Sequence, residues 1–397
     1  MVVLRRHVAK IIQADLKEKM VLLAGPRQSG KTTLAKGLQK KLNGSYYNWD
    51  IAGHRKLLRN NIINEQTKFW IFDEIHKNRG WRNWLKGIYD EFHEKHSILV
   101  TGSAKLEIYS HGGDSLQGRY FFHRIHPFTL SEILQLVPPK AITSIFELPV
   151  IGKKNAQEAL KDLLDLGGFP EPFLSSSMKK ASRWRLNYAD KLIREEIATL
   201  QNLRDLDRLE LLYDRLHETV GSVLSINSLK EDLEVAFETV KNWLNIFENI
   251  YAVFRISPFG PPKIKAVKKE QKLYFWDWGG IEDRASRFEN LVAFHLLRFQ
   301  HWCEDVEGEK VELRYYRDVR GHEVDFVLLK KRKPWVAIEV KTGEKKLDSG
   351  LKYLLERIKF PYAFQISLDG KNDFAHKKIN GCNIRVLPAS QFLPNLP

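Results

Sequence analysis

The sequence predicts an α/β protein of several domains, and three features of the chain support this prediction. Its 397 residues are too many for one ordinary hydrophobic core. Between residues 20 and 127, short apolar strands alternate with polar helical segments, as in α/β nucleotide-binding domains. The pattern then becomes mostly helical, and strands return beyond residue 250. We therefore expect four domains, which comprise residues 1–130, 131–204, 205–280 and 281–397.

The composition indicates the kind of partner and the compartment. Lysine and arginine exceed aspartate and glutamate by 64 − 49 = 15, which favours a polyanion such as nucleic acid over other partners. The two cysteines, Cys303 and Cys382, exclude a disulfide framework and fit a reducing cytosol. We see no signal peptide and no segment long and apolar enough to span a bilayer, so we expect a cytoplasmic protein without a membrane partner.

The first domain is expected to contain four strands, which are Met20–Ala24, Phe69–Asp73, Ile98–Thr101 and Tyr120–His123. A glycine-rich segment that matches the whole P-loop pattern follows the first strand and precedes a helix. Its residues, with the threonine that follows, are Gly25, Pro26, Arg27, Gln28, Ser29, Gly30, Lys31, Thr32 and Thr33. The glycines let backbone N–H groups point at phosphate oxygens, and the helix N-terminus adds a favourable field. Lys31 is expected to neutralise the β- and γ-phosphates of ATP and Thr32 to bind Mg²⁺.

The second strand ends in two carboxylates, as in a Walker B motif. Asp73 is expected to reach the Mg²⁺ ion through water, and Glu74 to orient and deprotonate the attacking water. Thr101 ends the third strand and Ser103 follows it. Either could sense the γ-phosphate, although an ordinary strand-to-loop turn explains them nearly as well. Arg119 precedes the fourth strand. It is either an arginine finger that acts on a neighbouring subunit or one of many surface arginines.

These motifs, Gly-Pro-Arg-Gln-Ser-Gly-Lys-Thr, Phe-Asp-Glu-Ile-His and Leu-Gln-Gly-Arg, resemble those of a large prokaryotic family of AAA-type ATPases, and the resemblance extends over essentially the whole chain. The C-terminal half of this family is a domain of unknown function. The resemblance implies that Pro170, in Gly-Phe-Pro-Glu, lies near the adenine and that residues 131–204 form a helical lid. It also implies a homo-oligomer, such as a ring, whose ATP sites are completed between subunits.

The C-terminal part contains acidic residues within apolar strands, which is costly unless they are paired or bind metal. If residues 323–329 and 335–341 fold back about position 332, Asp325 lies opposite Glu339 and Glu323 lies opposite Lys341. All four then share one face, and Val324, Phe326, Ile338 and Val340 point into a core. The alternative is a Glu323–Lys341 and Asp325 network that merely sits in a sheet.

This arrangement resembles the PD-(D/E)XK nuclease core, most closely that of Holliday-junction-resolvase-like members. The resemblance implies that Asp325 and Glu339 hold Mg²⁺ or Mn²⁺, with Glu289 on the preceding helix as a further ligand. Lys341 would position water or stabilise the phosphorane. Val324 replaces the proline of the nominal motif. A fold of this kind can also be retained for DNA binding without cleavage.

Residues 205–280 are expected to form three helices and a β-hairpin, the pattern of a winged helix. The third helix, residues 235–249, is expected to expose Glu238, Lys241, Asn242 and Asn245 and to bury Phe237, Val240, Leu244 and Phe247. A helix of this kind can enter the major groove, and it can equally form a lid or a dimer contact. Four lysines of the wing, Lys263, Lys265, Lys268 and Lys269, could contact phosphates. The aromatic residues around Tyr274 and Trp278 are expected in the core rather than against bases.

The sequence therefore favours an ATP-hydrolysing protein that binds DNA and remodels or processes it, including branched DNA. Its nuclease-like domain is a candidate for metal-dependent cleavage. The alternative is a signalling ATPase that changes conformation with nucleotide and binds a protein partner, with an inactive nuclease-like domain. The sequence alone does not exclude RNA as the nucleic acid.

Overall fold

The short apolar strands in the first third of the chain form one parallel sheet. The computed structural model describes residues 5–103, 116–137, 155–197, 205–260, 271–344 and 346–397. The strands are β1 (Met20–Ala24), β2 (Ser45–Asn48), β3 (Phe69–Asp73), β4 (Ser97–Thr101) and β5 (Tyr120–Arg124). They lie in the order β2-β3-β4-β1-β5, and every neighbouring pair is parallel. All residues of β1 and β3 are buried, as a parallel sheet covered on both faces requires.

Among the described residues of this region, four α-helices accompany the sheet, and alternate strand residues pack into two separate cores. The helices are α1 (Val8–Asp15), α2 (Lys31–Leu42), α3 (Ala52–Arg59) and α4 (Trp81–Phe92). Trp70 and Phe72 pack in one cluster, which includes Leu85 of α4. Phe69 and Ile71 pack in the other cluster with residues of α1 and α2. This alternation follows from the two-residue period of a strand, so β3 joins both layers.

The four strands predicted in this region are confirmed, two of them with the predicted bounds and two with one additional residue. The prediction missed β2, whose sequence Ser-Tyr-Tyr-Asn is short and has no aliphatic residue. Only Tyr47 of this strand is buried. A four-residue strand with one buried side chain gives too weak a periodic signal to be found from sequence.

The chain divides into two compact units, one of which comprises the residues up to Pro127 together with Asn249–Tyr251. The second unit comprises Phe128–Glu248 and Ala252–Pro397. Its first part is helical, as predicted. The helices are α5 (Leu130–Ile133), α6 (Ala156–Leu166), α7 (Pro170–Leu174), α8 (Met178–Lys191), α9 (Leu206–His217), α10 (Ile226–Asp232) and α11 (Phe237–Asn249).

A mixed eight-stranded sheet forms the rest of the second unit. Its strands are β6 (Val253–Pro258), β7 (Lys272–Phe275), β8 (Val311–Arg317), β9 (Glu323–Lys330), β10 (Lys333–Lys341), β11 (Tyr362–Ser367), β12 (Phe374–Ile379) and β13 (Cys382–Pro388). They lie in the order β12-β13-β11-β10-β9-β8-β6-β7. The helices in this part are α12 (Arg284–Asp305), α13 (Ser349–Arg357) and α14 (Ala389–Phe392). Leu351, Leu354 and Leu355 of α13 pack on Val324 and Ala337 of the sheet.

The predicted winged helix is not confirmed. The antiparallel hairpin β6–β7 exists, but β6 also pairs in parallel with β8, so the hairpin is the edge of the large sheet. The four wing lysines at positions 263, 265, 268 and 269 lie outside the described residues. Tyr274 and Trp278 are fully buried, as predicted for the aromatic residues of this region.

The predicted faces of α11 are confirmed with one exception. Glu238, Lys241, Asn242 and Asn245 are exposed, and Val240, Leu244 and Phe247 are buried. The exception is Phe237, which is 37% exposed because it is the first residue of the helix and no preceding turn covers it. Among the described residues, no helix is long and apolar enough to cross a membrane.

Candidate functional site

The P-loop connects β1 to α2 at the carboxyl end of the parallel sheet. Gln28 and Gly30 adopt left-handed backbone conformations with φ of 60° and 98°, which curl the chain before Lys31 starts the helix. Gly25 packs so closely that a Cβ atom there would lie 2.3 Å from the Ile125 carbonyl oxygen. Glycine is therefore required at position 25, and the loop forms the compact turn that the motif predicts.

Side chains of the P-loop are held by the loop itself. The Lys31 ammonium is buried and donates hydrogen bonds to the carbonyl oxygens of Gly25 and Pro26, at 2.8 and 2.7 Å. The Ser29 hydroxyl donates to the Pro26 carbonyl at 2.8 Å, and the Arg6 guanidinium donates to the Ser29 carbonyl at 2.9 Å. Lys31 therefore places a positive charge directly over the loop and beside the N-terminus of α2. Thr33, the third residue of the helix, is exposed, and Arg27 is half-buried.

Asp73 at the end of β3 accepts hydrogen bonds from side chains of several elements. The Thr32 hydroxyl donates to Asp73 Oδ2 at 3.0 Å, and the Tyr46 hydroxyl donates to the same oxygen at 2.5 Å. The Asn48 amide lies 3.4 Å from this oxygen, and the Thr101 hydroxyl donates to Oδ1. Burial, reinforced by the Asp73 carboxylate, raises the pKa of Tyr46, so the phenol stays a donor. Asp73 is consequently an oriented, fully hydrogen-bonded acceptor next to the P-loop threonine.

Thr101 and Ser103 both contact other side chains of this site. Thr101 is fully buried, and its hydroxyl is engaged by Asp73, so it orders the Walker B acid. Ser103 Oγ lies 3.4 Å from His76 Nε2 and is buried. Direct sensing of a γ-phosphate by either hydroxyl stays a prediction.

Glu74 follows Asp73 with a left-handed backbone, φ 58°, while its N–H donates to the Thr101 carbonyl at 2.9 Å. Its carboxylate lies 3.4 Å from the Lys77 ammonium and 3.6 Å from His76 Nε2. Lys77 also bonds Asp50 at 2.6 Å. Burial raises the pKa of Glu74, and the charges of Lys77 and Lys31 oppose that rise. A carboxylate of raised basicity beside Asp73 suits a general base.

The oxygen ligands and positive charges of this site fit Mg²⁺ and a nucleoside triphosphate. Thr32 and Asp73 supply hard oxygen atoms 3.0 Å apart, which are the ligands that Mg²⁺ prefers. Lys31 and the N-terminus of α2 supply the positive field that phosphates need. When bound, Mg²⁺ would neutralise charge that develops on the phosphates. Glu74 would accept the proton of the attacking water.

Arg119 lies at the amino ends of the parallel strands, whereas the P-loop lies at their carboxyl ends. It immediately precedes β5, which pairs with β1 in parallel from Met20–Tyr120 to Ala24–Arg124, whereas the P-loop follows Ala24. The length of the five-residue strand, about 17 Å, therefore separates Arg119 from the P-loop. Arg119 forms a two-point ion pair with Asp90, at 2.7 and 3.1 Å. This position is compatible with action on another subunit, which stays a prediction.

Pro170 starts α7 in the second unit, where proline suits the first turn because it has no N–H to satisfy. Its predicted position near the adenine stays a prediction.

The predicted carboxylate hairpin is present, with Asp325 and Glu339 adjacent as expected. The β9–β10 ladder runs to the pair Phe326–Ile338, so Asp325 and Glu339 are the next residues on the two strands. The Asp325 N–H donates to Glu339 Oε2 at 3.3 Å, and the Val340 N–H donates to Asp325 Oδ2 at 2.9 Å. Side-chain oxygens thus take the place of backbone acceptors at this end of the hairpin.

The partners of the other two residues differ from the prediction. Lys341 does not pair with Glu323, because Glu339 and Asp348 lie closer to its ammonium, at 2.5 and 2.9 Å. Glu323 pairs instead with Lys272, at 2.5 Å. The predicted alternation of faces is also interrupted, since Val324 and Val327 pack in the same cluster although they are three residues apart.

Glu289 joins this cluster from α12. Its Oε1 accepts hydrogen bonds from the Tyr274 hydroxyl at 2.7 Å and from the Lys272 ammonium at 3.3 Å. Burial, together with Glu339 and Glu289, raises the pKa of Asp325 well above its usual range. Burial also raises the pKa of Glu339 to about 7, against the opposing charge of Lys341. The predicted residues Glu289, Asp325, Glu339 and Lys341 are therefore brought into one acidic cluster.

The fit of this cluster to a divalent metal is poor. Ammonium groups contact its carboxylates directly, since Lys341 Nζ lies 2.5 Å from Glu339 Oε1 and Lys272 Nζ lies 3.3 Å from Glu289 Oε1. Lys272 places an ammonium among Glu289, Glu323 and Asp325. Over the described ranges, no three His, Cys, Asp or Glu side chains are arranged to hold a metal ion. The metal ligands predicted from the nuclease resemblance stay a prediction that this geometry disfavours.

Sequence reasoning missed several residues of both sites. Tyr46 and Asn48 were missed because β2 was missed, and Lys77 and Asp50 lie outside the motifs. Lys272 was missed because it lies at the start of a buried strand, where a lysine is normally assigned to solvent. Its signal was the four acidic residues that the predicted hairpin and the nuclease resemblance together bring to one place, since these need a compensating charge.

A comparison with known protein families agrees with the nucleotide site that the P-loop and Asp73 form. Residues 17–134 match the family model described as an AAA domain. Residues 157–282 and residues 285–391 match two different models, each described as a domain of unknown function.

Individual proteins and solved structures are similar to this chain at low sequence identity. An uncharacterized protein of Methanocaldococcus jannaschii is 26% identical over 405 residues, which cover 90% of this chain and 82% of that protein. An uncharacterized protein of Mycobacterium tuberculosis is 22% identical over 295 residues, 72% of this chain and 62% of that protein. The Thermotoga maritima RuvB Holliday junction branch migration motor aligns with a TM-score of 0.31 and 17% identity, over 62% of this chain and 88% of that chain. Bacteroides Pif1 bound to ssDNA aligns with a TM-score of 0.21 and 15% identity, over 42% of this chain and 57% of that chain.

The P-loop, the oriented Asp73–Glu74 pair and the AAA-domain match lead to one conclusion about this region. Residues 17–134 form an AAA-type P-loop ATPase domain.

Proposed function

We propose that this protein hydrolyses ATP with Mg²⁺ to drive the binding and remodelling of DNA, including branched DNA. The convergence of Lys31, Thr32, Asp73 and Glu74 carries the ATPase part of this proposal. In it, Lys31 and the P-loop amides hold the phosphates, Thr32 and Asp73 hold the metal, and Glu74 takes the proton from water.

Positive charge on the surface supports DNA as the partner. The chain has a net charge of +15. The tip of the β9–β10 hairpin presents Lys331, Arg332 and Lys333, all of which are exposed. Helix α8 exposes Lys179, Lys180 and Arg183. Lysine and arginine groups of this kind contact phosphates without reading sequence, so they suit recognition of DNA structure.

The experiment that tests the proposal is the steady-state rate of ATP hydrolysis by the full chain. The rate is measured alone and with single-stranded, duplex, forked and four-way-junction DNA, and with RNA of matched length. We expect stimulation by at least one DNA structure, weakened by added salt because phosphate contacts release counterions. A rate that no DNA changes would contradict the DNA part of the proposal.

Two variants separate the ATP site from contaminating activity. Lys31→Ala should abolish turnover and weaken nucleotide binding. Glu74→Gln should abolish turnover but keep the nucleotide bound, because it removes the base and leaves the phosphate-binding loop intact. Undiminished hydrolysis in either variant would show that the assigned role is wrong.

The second candidate is a nucleotide-switched ATPase that binds a protein partner, with an inactive nuclease-like domain. The buried Lys272 ammonium among the carboxylates favours this function, since it leaves the second unit with little capacity for metal chemistry. ATP turnover that is indifferent to every nucleic acid would favour this candidate over the first.

A further inference from the structure

A buried lysine lies at the centre of the acidic cluster in the second unit. Lys272 is the first residue of β7 and is only 1% exposed. Its ammonium is 2.5 Å from Glu323 Oε1, 3.3 Å from Glu289 Oε1 and 4.0 Å from Asp325 Oδ1. These carboxylates come from β9 and α12, so one side chain connects a helix and a strand that are distant in sequence.

The surroundings of Lys272 stabilise a cation rather than a neutral amine. Burial alone would disfavour the charged form, and three carboxylates within 4.0 Å of the ammonium compensate its charge. The ammonium also lies 5.5 Å from the centre of the Tyr315 ring, a further interaction that favours a cation. An unpaired buried charge would be very costly, so the three carboxylates and Lys272 depend on one another.

A second lysine neutralises the remaining carboxylate of the hairpin. Lys341 bonds Glu339 Oε1 at 2.5 Å and Asp348 Oδ2 at 2.9 Å. The oxygens that would coordinate a metal are thus largely engaged by ammonium groups and by backbone N–H groups of the same chain. A divalent ion at this place would have to displace the buried Lys272 ammonium from its carboxylate partners.

We propose that the Lys272 ammonium is the resident cation of this carboxylate cluster, beside Glu289 and Asp325, two of the three residues to which the nuclease resemblance assigns a divalent metal. The ion pairs of the cluster then stabilise the packing of α12, β7 and β9 against one another without any metal ion. Metal-dependent DNA cleavage is consequently absent from this domain, whichever partner the ATPase serves.

Mn²⁺ binding to the full-length, nucleotide-free chain tests this proposal. Bound Mn²⁺ is counted by electron paramagnetic resonance in the native chain and in Asp325→Asn, Lys272→Met, Lys272→Arg and the double variant Lys272→Met/Asp325→Asn. Binding at the P-loop is common to all of them and cancels in the comparison. Because removal of the ammonium vacates a site lined by oxygen ligands, Lys272→Met should gain about one Mn²⁺ per chain.

The remaining variants make the test specific. The native chain and Asp325→Asn should bind equal amounts of Mn²⁺. Lys272→Arg should bind no additional Mn²⁺, because it keeps the positive charge. The double variant should lose the ion that Lys272→Met gains. A native Mn²⁺ ion that Asp325→Asn removes would overturn the proposal, and so would a folded Lys272→Met chain that gains none. If circular dichroism shows that Lys272→Met does not fold, the comparison of the native chain with Asp325→Asn decides alone.

Discussion

At the scale of single residues, both sites depend on buried carboxylates whose hydrogen bonds come from several elements. Asp73 accepts from Thr32 of α2, Tyr46 of β2 and Thr101 of β4. Such an arrangement fixes the orientation of the carboxylate before any metal binds, which lowers the entropic cost of forming the site. The Walker B acid is therefore positioned by residues that the motif does not include.

His295 allows a prediction about pH at this scale. It is fully buried in α12, where Nδ1 lies 2.8 Å from the Leu291 carbonyl and Nε2 accepts the Leu130 N–H at 3.1 Å. Burial lowers the pKa of His295 from 6.5 to about 4. Between these values the unfolded chain binds a proton that the folded chain does not, so stability falls as the pH decreases below the unfolded value. At about pH 5 this loss amounts to about 2 kcal/mol.

The variant His295→Gln should remove this pH-dependent part, because glutamine does not titrate. We expect a smaller drop in the free energy of unfolding between about pH 7.5 and about pH 5 than in the native chain. Urea unfolding at the two pH values measures the difference. His376→Gln is the matched control, because His376 is only half-buried and lies in the mostly exposed strand β12. An unchanged pH dependence in His295→Gln would show that His295 is not a neutral buried group.

At the scale of elements, the β9–β10 hairpin explains why Asp325 and Glu339 meet. Lys330 pairs with Lys333, which leaves a two-residue turn. Pro334 lies early in β10, and the register shifts by one residue between Pro334 and Val336. Proline has no N–H for the ladder and is tolerated at a bulge. Without this shift Asp325 would lie level with Ile338 and not with Glu339.

The hairpin turn also carries an unusual sequence for its backbone. Lys331 and Arg332 both have positive φ, 51° and 64°, as a type I′ turn requires. Asn-Gly is the preferred sequence there, and other side chains carry a conformational cost of roughly 1 kcal/mol each. Two basic residues in strained positions suggest that their charge serves binding.

The double variant Lys331→Asn/Arg332→Gly tests this at the scale of the turn. Because Asn-Gly relieves the strain, we expect equal or higher thermal stability and unchanged ATP turnover without DNA. Affinity for DNA should fall severalfold, since two phosphate contacts are lost. Fluorescence anisotropy with labelled DNA measures the affinity, and Lys352→Asn on α13 is a control for loss of charge alone. Undiminished DNA affinity in the stable double variant would contradict a role of this turn.

At the scale of the whole molecule, Arg119 raises the question of assembly. Arg119 lies at the amino ends of the strands, far from the P-loop of its own chain. This position predicts that it acts on the ATP site of a neighbouring subunit in a homo-oligomer such as a ring. We expect Arg119→Ala to bind ATP normally but to hydrolyse it slowly, because the finger stabilises transferred charge.

Mixing two inactive variants tests this directly. Arg119→Ala has an intact P-loop, and Lys31→Ala has an intact Arg119. If Arg119 acts between subunits, the mixture should hydrolyse ATP faster than either variant alone. Size-exclusion chromatography with light scattering gives the assembly state in each nucleotide condition. A monomer in every condition, or no recovery on mixing folded variants, would rule out the shared site.

The residues that the sequence by itself determined are those whose function depends on local order along the chain. The P-loop, the Asp73–Glu74 pair and four strands of the first sheet follow from a motif or an apolar run, and these need only neighbours in sequence. The pairing of Asp325 with Glu339 was also predicted, from a fold about position 332, although it depends on the register shift between Pro334 and Val336.

Tertiary structure alone decided the parts that depend on distant elements. Tyr46 reaches Asp73 only because β2 lies beside β3, and β6 joins β8 only in the folded sheet. Lys272 meets Glu289, Glu323 and Asp325 because β7, α12 and β9 converge in space. A buried charge must be compensated, but sequence does not indicate which distant side chain supplies the opposite charge. That choice is made when the sheet forms, and here it placed an ammonium beside Glu289 and Asp325, to which the nuclease resemblance assigns a metal.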